Sequence, residues 1–220
     1  MEKEVPKVSA TNNGRAGDLV AMGKGGWWAR GEVLVVALAV YAAARYYITP
    51  WVSDLMLPYL DFEIGPKVLL LHALAYSLVT AALCFGCHFF YVKRGYLKPM
   101  SLTRNAGDAV AWGVLFALIL SAITAGFFLA KGRDINVVFN WWDIGGNLFS
   151  NLYEEVIYRG LLFAALLFSF RKPWVAILVS GFIFMYSHTT QPALLAAGTV
   201  LTGVCFAYPY LRTGSLLAPY

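Results

Sequence analysis

The sequence predicts an all-α protein, a polytopic transmembrane helical bundle with about six spans. Hydrophobic residues make up 60% of the 220 residues and charged residues only 13%. Soluble domains are about 45–50% apolar and about 25% charged, so this composition excludes an ordinary soluble domain. The apolar residues are also grouped in long windows, each near the ~20 residues that a helix needs to cross a bilayer. We therefore expect one integral membrane domain.

Six apolar windows follow one another along the chain. The first 26 residues of the chain mix both charges and show no apolar period, so we expect residues 1–26 to form a mobile tail. Residues 27–220 then form the transmembrane helical domain. The windows cover residues 31–49, 67–92, 107–130, 144–170, 173–190 and 193–210.

The net charge of +5 comes from Lys and Arg in the segments that connect the windows. If every window spans, nearly all of these bases fall on one side of the membrane. The positive-inside rule then places the N-terminus in the cytoplasm. Lys131 and Arg133 are the exceptions, because they fall on the opposite side. Bases in this arrangement favour contact with anionic lipids, so we expect the lipid bilayer, and no nucleic acid, as a partner.

The window at residues 144–170 contains Glu154, Glu155 and Arg159. A single charge at the centre of a spanning helix costs ~2.5–3.5 kcal/mol on insertion scales, and intramembrane charges usually mark functional sites. The three charges therefore predict a site that faces a partner or a water-filled cavity. The alternative is a charge network that only fixes helix packing.

Helical spacing separates the roles of these charges. Glu155 and Arg159 are four residues apart and share a face, with the acid first, which is the favoured order for an ion pair. Glu154 points to another face and has Tyr158, not a base, four residues later. We therefore expect Arg159 to neutralise Glu155 and to leave Glu154 available for acid–base chemistry.

His188 is the expected partner of Glu154. The short connection at residues 171–173 predicts that the fourth and fifth windows form an antiparallel hairpin. Glu154 and His188 lie equally far from Arg171 in sequence, ~25 Å along each helix, so they can lie at the same depth. A carboxylate and an imidazole that share a water molecule form a workable general-base pair. The alternative for His188 is a helix-end histidine that is solvated by water.

Two motifs together resemble those of the CPBP family, which comprises the type II CAAX prenyl endopeptidases and their bacteriocin-processing and immunity-type (Abi) relatives. The likeness covers about residues 148–220, and residues 107–220 would form the family's core. The motifs are Glu154-Glu155-x-x-x-Arg159-Gly160 and Phe184-x-x-x-His188.

The resemblance implies an intramembrane endopeptidase that hydrolyses a peptide bond of a lipidated or membrane-anchored substrate. By similarity, Glu154 and His188 would activate the attacking water. Glu155 and Arg159 would hold the site together. We expect Phe184, one turn before His188, to wall the substrate pocket or orient the imidazole, and Tyr158 to be a second candidate pocket residue.

The family's third motif is a histidine followed four residues later by asparagine, commonly just after a Gly-Ser-Leu turn. Residues 213–219 resemble that turn, and no such histidine and asparagine follow them in the sequence. By the resemblance these residues stabilise the oxyanion, and the loss of one oxyanion donor costs ~100–1,000-fold in rate. We therefore expect either a truncated chain or a family member without full activity, which would serve as a membrane immunity or scaffold protein.

The cofactor stays open between a divalent metal such as zinc and none. Zinc catalysis needs ~three protein ligands and an open position. Glu154 and His188 could supply two ligands, with Glu155 or His72 as a third, but the sequence has no His-Glu-x-x-His run. Metal-independent glutamate chemistry fits the same residues. A channel or transporter is a weaker alternative, because the sequence shows no internal repeat.

The segment Cys84-Phe85-Gly86-Cys87-His88 matches the pattern of covalent haem attachment. It lies inside an apolar window, however, and short patterns often match by chance. We expect these residues to be packed within a helix. The three cysteines do not make a disulfide framework.

Overall fold

The computed structural model describes residues 19–21, 24–56, 66–132, 141–188 and 193–218. The fold is all-helical, which confirms the predicted class. Each of the six predicted windows overlaps a helix. The helices are α1 (Trp27–Ala43), α2 (Thr49–Met56), α3 (Pro66–Lys93), α4 (Ala106–Ala130), α5 (Trp141–Glu155), α6 (Ala164–Phe170), α7 (Pro173–Tyr186) and α8 (Ala193–Thr213).

Three stretches of the described chain are long and apolar enough to cross a membrane, namely Trp27–Val52, Leu74–Lys93 and Ala106–Ala130. The helix Pro173–Tyr186 is apolar but shorter. Helix α4 is the most exposed of the three, because Ala109 is its one buried residue although it is rich in Leu, Ile and Phe. Apolar side chains exposed over a whole helix are stable in lipid, which solvates them, so the protein is an integral membrane protein.

The core lies along the fourth predicted window. Every residue from 155 to 168 is buried, as expected of a helix that is apolar on all sides. Helix α1 packs against α6, α3 packs against α5, and α7 packs against α6 and α8. The charged residues Glu155 and Arg159 therefore lie at the centre of the bundle.

Helices α7 and α8 approach each other closely at two glycines. A Cβ atom on Gly203 would lie 2.8 Å from the Cα of Gly181, and one on Gly181 would lie 3.1 Å from the carbonyl oxygen of Val200. Small residues at a helix interface let the two backbones come together. This contact also brings α8 against Phe184, because a Cβ atom on Gly203 would lie 3.1 Å from the Cβ of Phe184.

Two π-helical segments interrupt the α-helices, where the sequence analysis assumed regular helix. Segment π1 (Ala44–Ile48) joins α1 to α2, and segment π2 (Val156–Phe163) joins α5 to α6. Hydrogen bonds in a π-helix run from residue i to residue i+5, and such segments are frequent at functional sites. Each segment carries one arginine, Arg45 in π1 and Arg159 in π2.

Residues 19–21, within the predicted tail, are packed against the rest of the structure. Leu19 and Val20 are buried. Their segment pairs with the loop after α3, because the Ala21 N–H donates to Tyr96 O and the Lys98 N–H donates to Leu19 O, each at 3.0 Å. The cause is the apolar pair Leu19-Val20, which covers the loop that follows α3. The earlier part of the predicted tail lies outside the described residues.

The turn after α8 is anchored on the loop before α4. The Leu216 N–H donates to Ser101 O at 2.9 Å, and the Ser215 hydroxyl donates to Leu102 O. Gly214 adopts a φ of 69°, a conformation that glycine accepts without strain. The described part of the sequence 213–219 is therefore a fixed turn at the end of the bundle where α8 ends and α4 begins.

Candidate functional site

The predicted ion pair between Glu155 and Arg159 is present. Arg159 Nη1 lies 2.9 Å from Glu155 Oε1, and the exposed fractions of the two side chains are 1% for Arg159 and 4% for Glu155. A buried pair costs desolvation energy, and removing one partner leaves the other charge uncompensated. The pair therefore constrains how α5 and π2 pack.

Aromatic rings surround the guanidinium of Arg159. It lies 5.0 Å from the centre of the Phe184 ring and 5.1 Å from that of Phe206, distances at which a cation is attracted to the face of a ring. Within the described residues, Arg159 Nε and Nη2 and Glu155 Oε2 are buried without a hydrogen-bond partner. Arg159 thus links π2 to α7 through Phe184 and to α8 through Phe206.

Glu154 lies on a different face of α5 from its neighbour. It is half-buried, whereas Glu155 is 3% exposed. Its carboxylate lies within electrostatic range of His188, Arg159 and Arg45. The structure therefore places Glu154 within electrostatic range of His188, and the sequence analysis assigned both residues to water activation.

His188 lies in the turn after α7, not on the helix that the sequence predicts to residue 190. The helix ends because side chains compete for its last carbonyls. His188 Nδ1 lies 2.8 Å from Phe184 O, and the Ser187 hydroxyl donates to the same oxygen at 2.6 Å. The His188 backbone N–H turns instead to Met185 O at 2.8 Å.

The contact with Phe184 O favours the Nδ1–H tautomer of His188, whose Nδ1 also lies 3.0 Å from Ser187 Oγ. An Nδ1–H that donates to a carbonyl leaves Nε2 with its lone pair, able to accept a proton or a hydrogen bond. The rings of Phe184 and His188 lie 4.7 Å apart between centroids. Phe184 therefore contacts the imidazole with both its ring and its backbone.

Arg45 is a residue of the site that the sequence analysis missed. Much of its side chain is exposed. Its guanidinium nevertheless donates from Nη2 to Ser187 O at 2.8 Å, and so caps the turn that carries His188. Arg45 also lies inside an apolar window, where a charge is costly. This is the signal that pointed to Glu154, and it could have identified Arg45 from the sequence.

Tyrosines pack around these groups. Tyr158 lies 5.0 Å from Phe184 and 5.8 Å from Tyr41 between ring centroids. Tyr153 lies 5.1 Å from Tyr76. Tyr158 and Phe184, the predicted pocket residues, are only 4% and 5% exposed. Both side chains are packed inside the bundle, and their role as pocket residues remains a prediction.

Other candidate residues are not brought to this site. His88 is buried in α3, where Nε2 lies 2.8 Å from Lys98 O and ties the following loop to the helix. Cys84 and Cys87 are free thiols in the same helix. The side chain of His72 lies outside the described residues.

The described residues do not fit a zinc site. Such a site needs ~three protein ligands, and no group of three His, Cys, Asp or Glu side chains comes together in the part of the chain that the structure describes. Glu154 and His188 supply two candidate ligands at most, because Glu155 is paired with Arg159. We therefore derive no step of the chemistry through a metal.

A comparison with known protein families bears directly on these residues. Residues 136–220 match the family of type II CAAX prenyl endopeptidases, Rce1-like. This match confirms the resemblance that the two motifs predicted. It covers α5, π2, α6, α7 and α8 with its turn, and leaves α1 and Arg45 outside. No curated protein and no solved structure matches the chain.

Proposed function

We propose that the protein is an intramembrane endopeptidase that hydrolyses a peptide bond of a lipidated or membrane-anchored substrate. The observation that carries the proposal is that Glu154 lies within electrostatic range of His188 and next in sequence to the buried Glu155–Arg159 pair. Both residues lie in the segment that matches the CAAX prenyl endopeptidase family. The substrate class rests on that family likeness and on the bilayer that surrounds the helices.

In the proposed reaction, a water molecule lies between the Glu154 carboxylate and His188 Nε2. Glu154 accepts a proton from the water, His188 orients it, and the oxygen attacks the carbonyl carbon of the scissile peptide bond. The protonated Glu154 then donates its proton to the leaving nitrogen, and the C–N bond breaks. The products are a carboxylate and an amine.

Negative charge develops on the carbonyl oxygen during this attack. Positive groups aimed at that charge are usually a large contribution to catalysis. Arg45 and Arg159 are the two arginines within electrostatic range of Glu154 among the described residues. Arg159 is buried and paired, so its proposed role is to hold the site together with Glu155. Arg45 is partly exposed, so its proposed role is to fix the His188 turn against π1.

The proposed orientation follows the positive-inside rule, with the N-terminus in the cytoplasm. Helix α7 begins beside the basic residues Arg171 and Lys172 and ends at Tyr186, so His188 lies at the opposite end. The site would then lie nearer the non-cytoplasmic side. Labelling of a single introduced cysteine at Lys172 from either side of sealed vesicles tests this orientation.

The experiment for the function uses purified protein in lipid vesicles and peptide substrates with and without a prenyl group. Cleavage is followed by mass spectrometry. We expect Glu154→Gln and His188→Gln each to lower the rate at least about 100-fold, because each removes a group that handles the water. The matched control is Glu32→Gln, which neutralises an exposed carboxylate outside the matched segment and should leave the rate unchanged.

The proposal would be refuted if the Glu154→Gln protein accumulates normally in the membrane and cleaves the peptides at the wild-type rate. That result would favour a second function, that of a non-catalytic membrane immunity or scaffold protein. The observation that favours this second function is the Glu155–Arg159 pair, which is fully buried and can serve packing alone.

A further inference from the structure

An open groove of about 330 Å³ lies between the start of α1 and the end of α6. It is separate from the candidate catalytic site, because α7 begins at this end of the bundle and His188 follows its other end. Apolar side chains, one base and one hydroxyl form its wall. The lining residues are Trp27, Arg30, Gly31, Leu34, Ser169 and Phe170.

The groove has a positive charge without an acidic neighbour in its lining. Arg30 Nε is buried and has no hydrogen-bond partner among the described residues. The backbone oxygen of Arg30 accepts a bond from the Ser169 hydroxyl at 2.8 Å, which fixes α1 against α6. Two more bases, Arg171 and Lys172, directly follow Phe170 in the chain. The nearby acid Glu32 is already paired with Arg94.

The groove also changes from polar to apolar along its length. Trp27 and Trp28 stack at 3.7 Å and are 63% and 73% exposed, as tryptophans at a membrane–water boundary are. Leu34 lies two helical turns further along α1, ~10 Å deeper. Phe170 is 42% exposed and lies at the shallow end, next to Arg171, which donates to Lys24 O and Gly25 O. A cation near the headgroup level above an apolar surface matches the chemistry of a phospholipid.

We propose that this groove binds an anionic phospholipid. Arg30 takes the phosphate, and the first carbons of an acyl chain lie along Leu34. A lipid with a net negative headgroup is favoured because the bases around the groove outnumber its acids. Inorganic phosphate shares the headgroup chemistry but lacks the chain that the apolar wall would hold.

The test measures the thermal unfolding midpoint of the full chain in detergent with added phosphatidylglycerol, phosphatidylcholine or inorganic phosphate. A ligand that binds only the folded state raises this midpoint. We expect phosphatidylglycerol to raise it clearly, phosphatidylcholine to raise it less, and phosphate at the same concentration to leave it unchanged. Equal effects of the two lipids, or an equal effect of phosphate, would overturn the proposal.

A variant that fills the groove locates the site. A Cβ atom on Gly31 meets nothing within 4 Å, so Gly31→Leu starts its side chain in open space and favours the helix. We expect this variant to fold and to lose the response to phosphatidylglycerol. Gly86→Leu in α3 is the matched control, because its Cβ position is equally open, and it should keep the response. If Gly31→Leu keeps it too, the lipid binds elsewhere and the proposal is wrong.

Removal of the charge tests the headgroup contact. Arg30→Gln should weaken the apparent affinity for phosphatidylglycerol about fivefold, the typical effect of one base near an anionic surface. Lys131→Gln, at the far end of α4, is the control and should leave the affinity unchanged. An equal loss in both variants would show a general charge effect and contradict the proposal. If Arg30→Gln does not accumulate, the two glycine variants decide the question.

Discussion

Two glutamate–arginine pairs in this protein show how much the surroundings of a charge decide its role. Glu155 and Arg159 meet at 2.9 Å with side chains 1–4% exposed, whereas Glu32 and Arg94 meet at 2.5 Å with side chains 43–45% exposed. Both arginines also face aromatic rings, Phe184 and Phe206 in one case and Phe90 in the other. The two contacts are alike in kind, and the burial of the side chains differs widely.

Burial changes what each pair can do. An exposed pair exchanges its partner for water at little cost. A buried pair cannot, so losing either member leaves a charge in an apolar core. The inner pair lies beside Glu154, at the point where α5 passes into π2. The buried pair therefore lies where its fixed position can constrain the geometry of the candidate site, although burying its charges costs free energy.

The largest effect is expected for Arg159→Leu. This change leaves Glu155 buried without its partner, and breaking a buried pair typically costs about 3–5 kcal/mol in the free energy of unfolding. Chemical denaturation in detergent micelles measures the loss. A loss as small as that expected for an exposed pair would contradict the difference that burial makes between the two pairs.

The double variant Glu155→Met with Arg159→Leu separates stability from function. Replacing a buried pair by apolar side chains is often neutral or stabilising, so we expect most of the lost free energy to return. Peptide cleavage should not return, because the charge of Arg159 next to Glu154 is gone. A double variant that is stable and cleaves peptides would show that the pair is needed neither for stability nor for cleavage.

A smaller effect is expected for Arg45→Leu, which removes the bond to Ser187 O. Hydrogen bonds to charged groups contribute about 1.5–3 kcal/mol, so we expect kcat to fall about tenfold or more while KM stays near its original value. Arg45→Lys keeps a charge and a donor and should recover part of kcat. Tyr47→Leu, on the same π segment and 74% exposed, is the control.

A merely structural Arg45 would give another result. The amount of folded protein would fall in Arg45→Leu, and kcat per folded molecule would stay constant. Steady-state kinetics on protein quantified after purification distinguishes these outcomes.

The two pairs also mark what the sequence could predict. The inner pair follows from four-residue spacing on one helix, and the helices follow from apolar windows, because both depend on neighbours in the chain. The outer pair joins residues 62 positions apart, and the bond from Arg45 to Ser187 spans 142 positions. No periodicity encodes such contacts, since they arise only when the helices pack.

The π segments and the position of His188 illustrate the same limit. A π-helical segment has no sequence period of its own over so few residues, so π2 was predicted as regular helix. The end of α7 depends on Ser187 and His188 side chains that compete for Phe184 O. The roles of Glu154 and His188 in catalysis stay predictions, which the cleavage assay tests.

The smallest effect is expected for Arg94→Gln, which breaks the outer pair. Exposed pairs contribute about 0–1 kcal/mol, and salt screens them. We therefore expect a small drop in the unfolding midpoint that disappears at about 1 M salt, whereas the drop caused by Arg159→Leu persists because the inner pair is shielded from ions. A large, salt-independent drop in Arg94→Gln would mean that the end of α3 is held to α1 mainly by this bridge, and that exposure alone does not separate the two pairs.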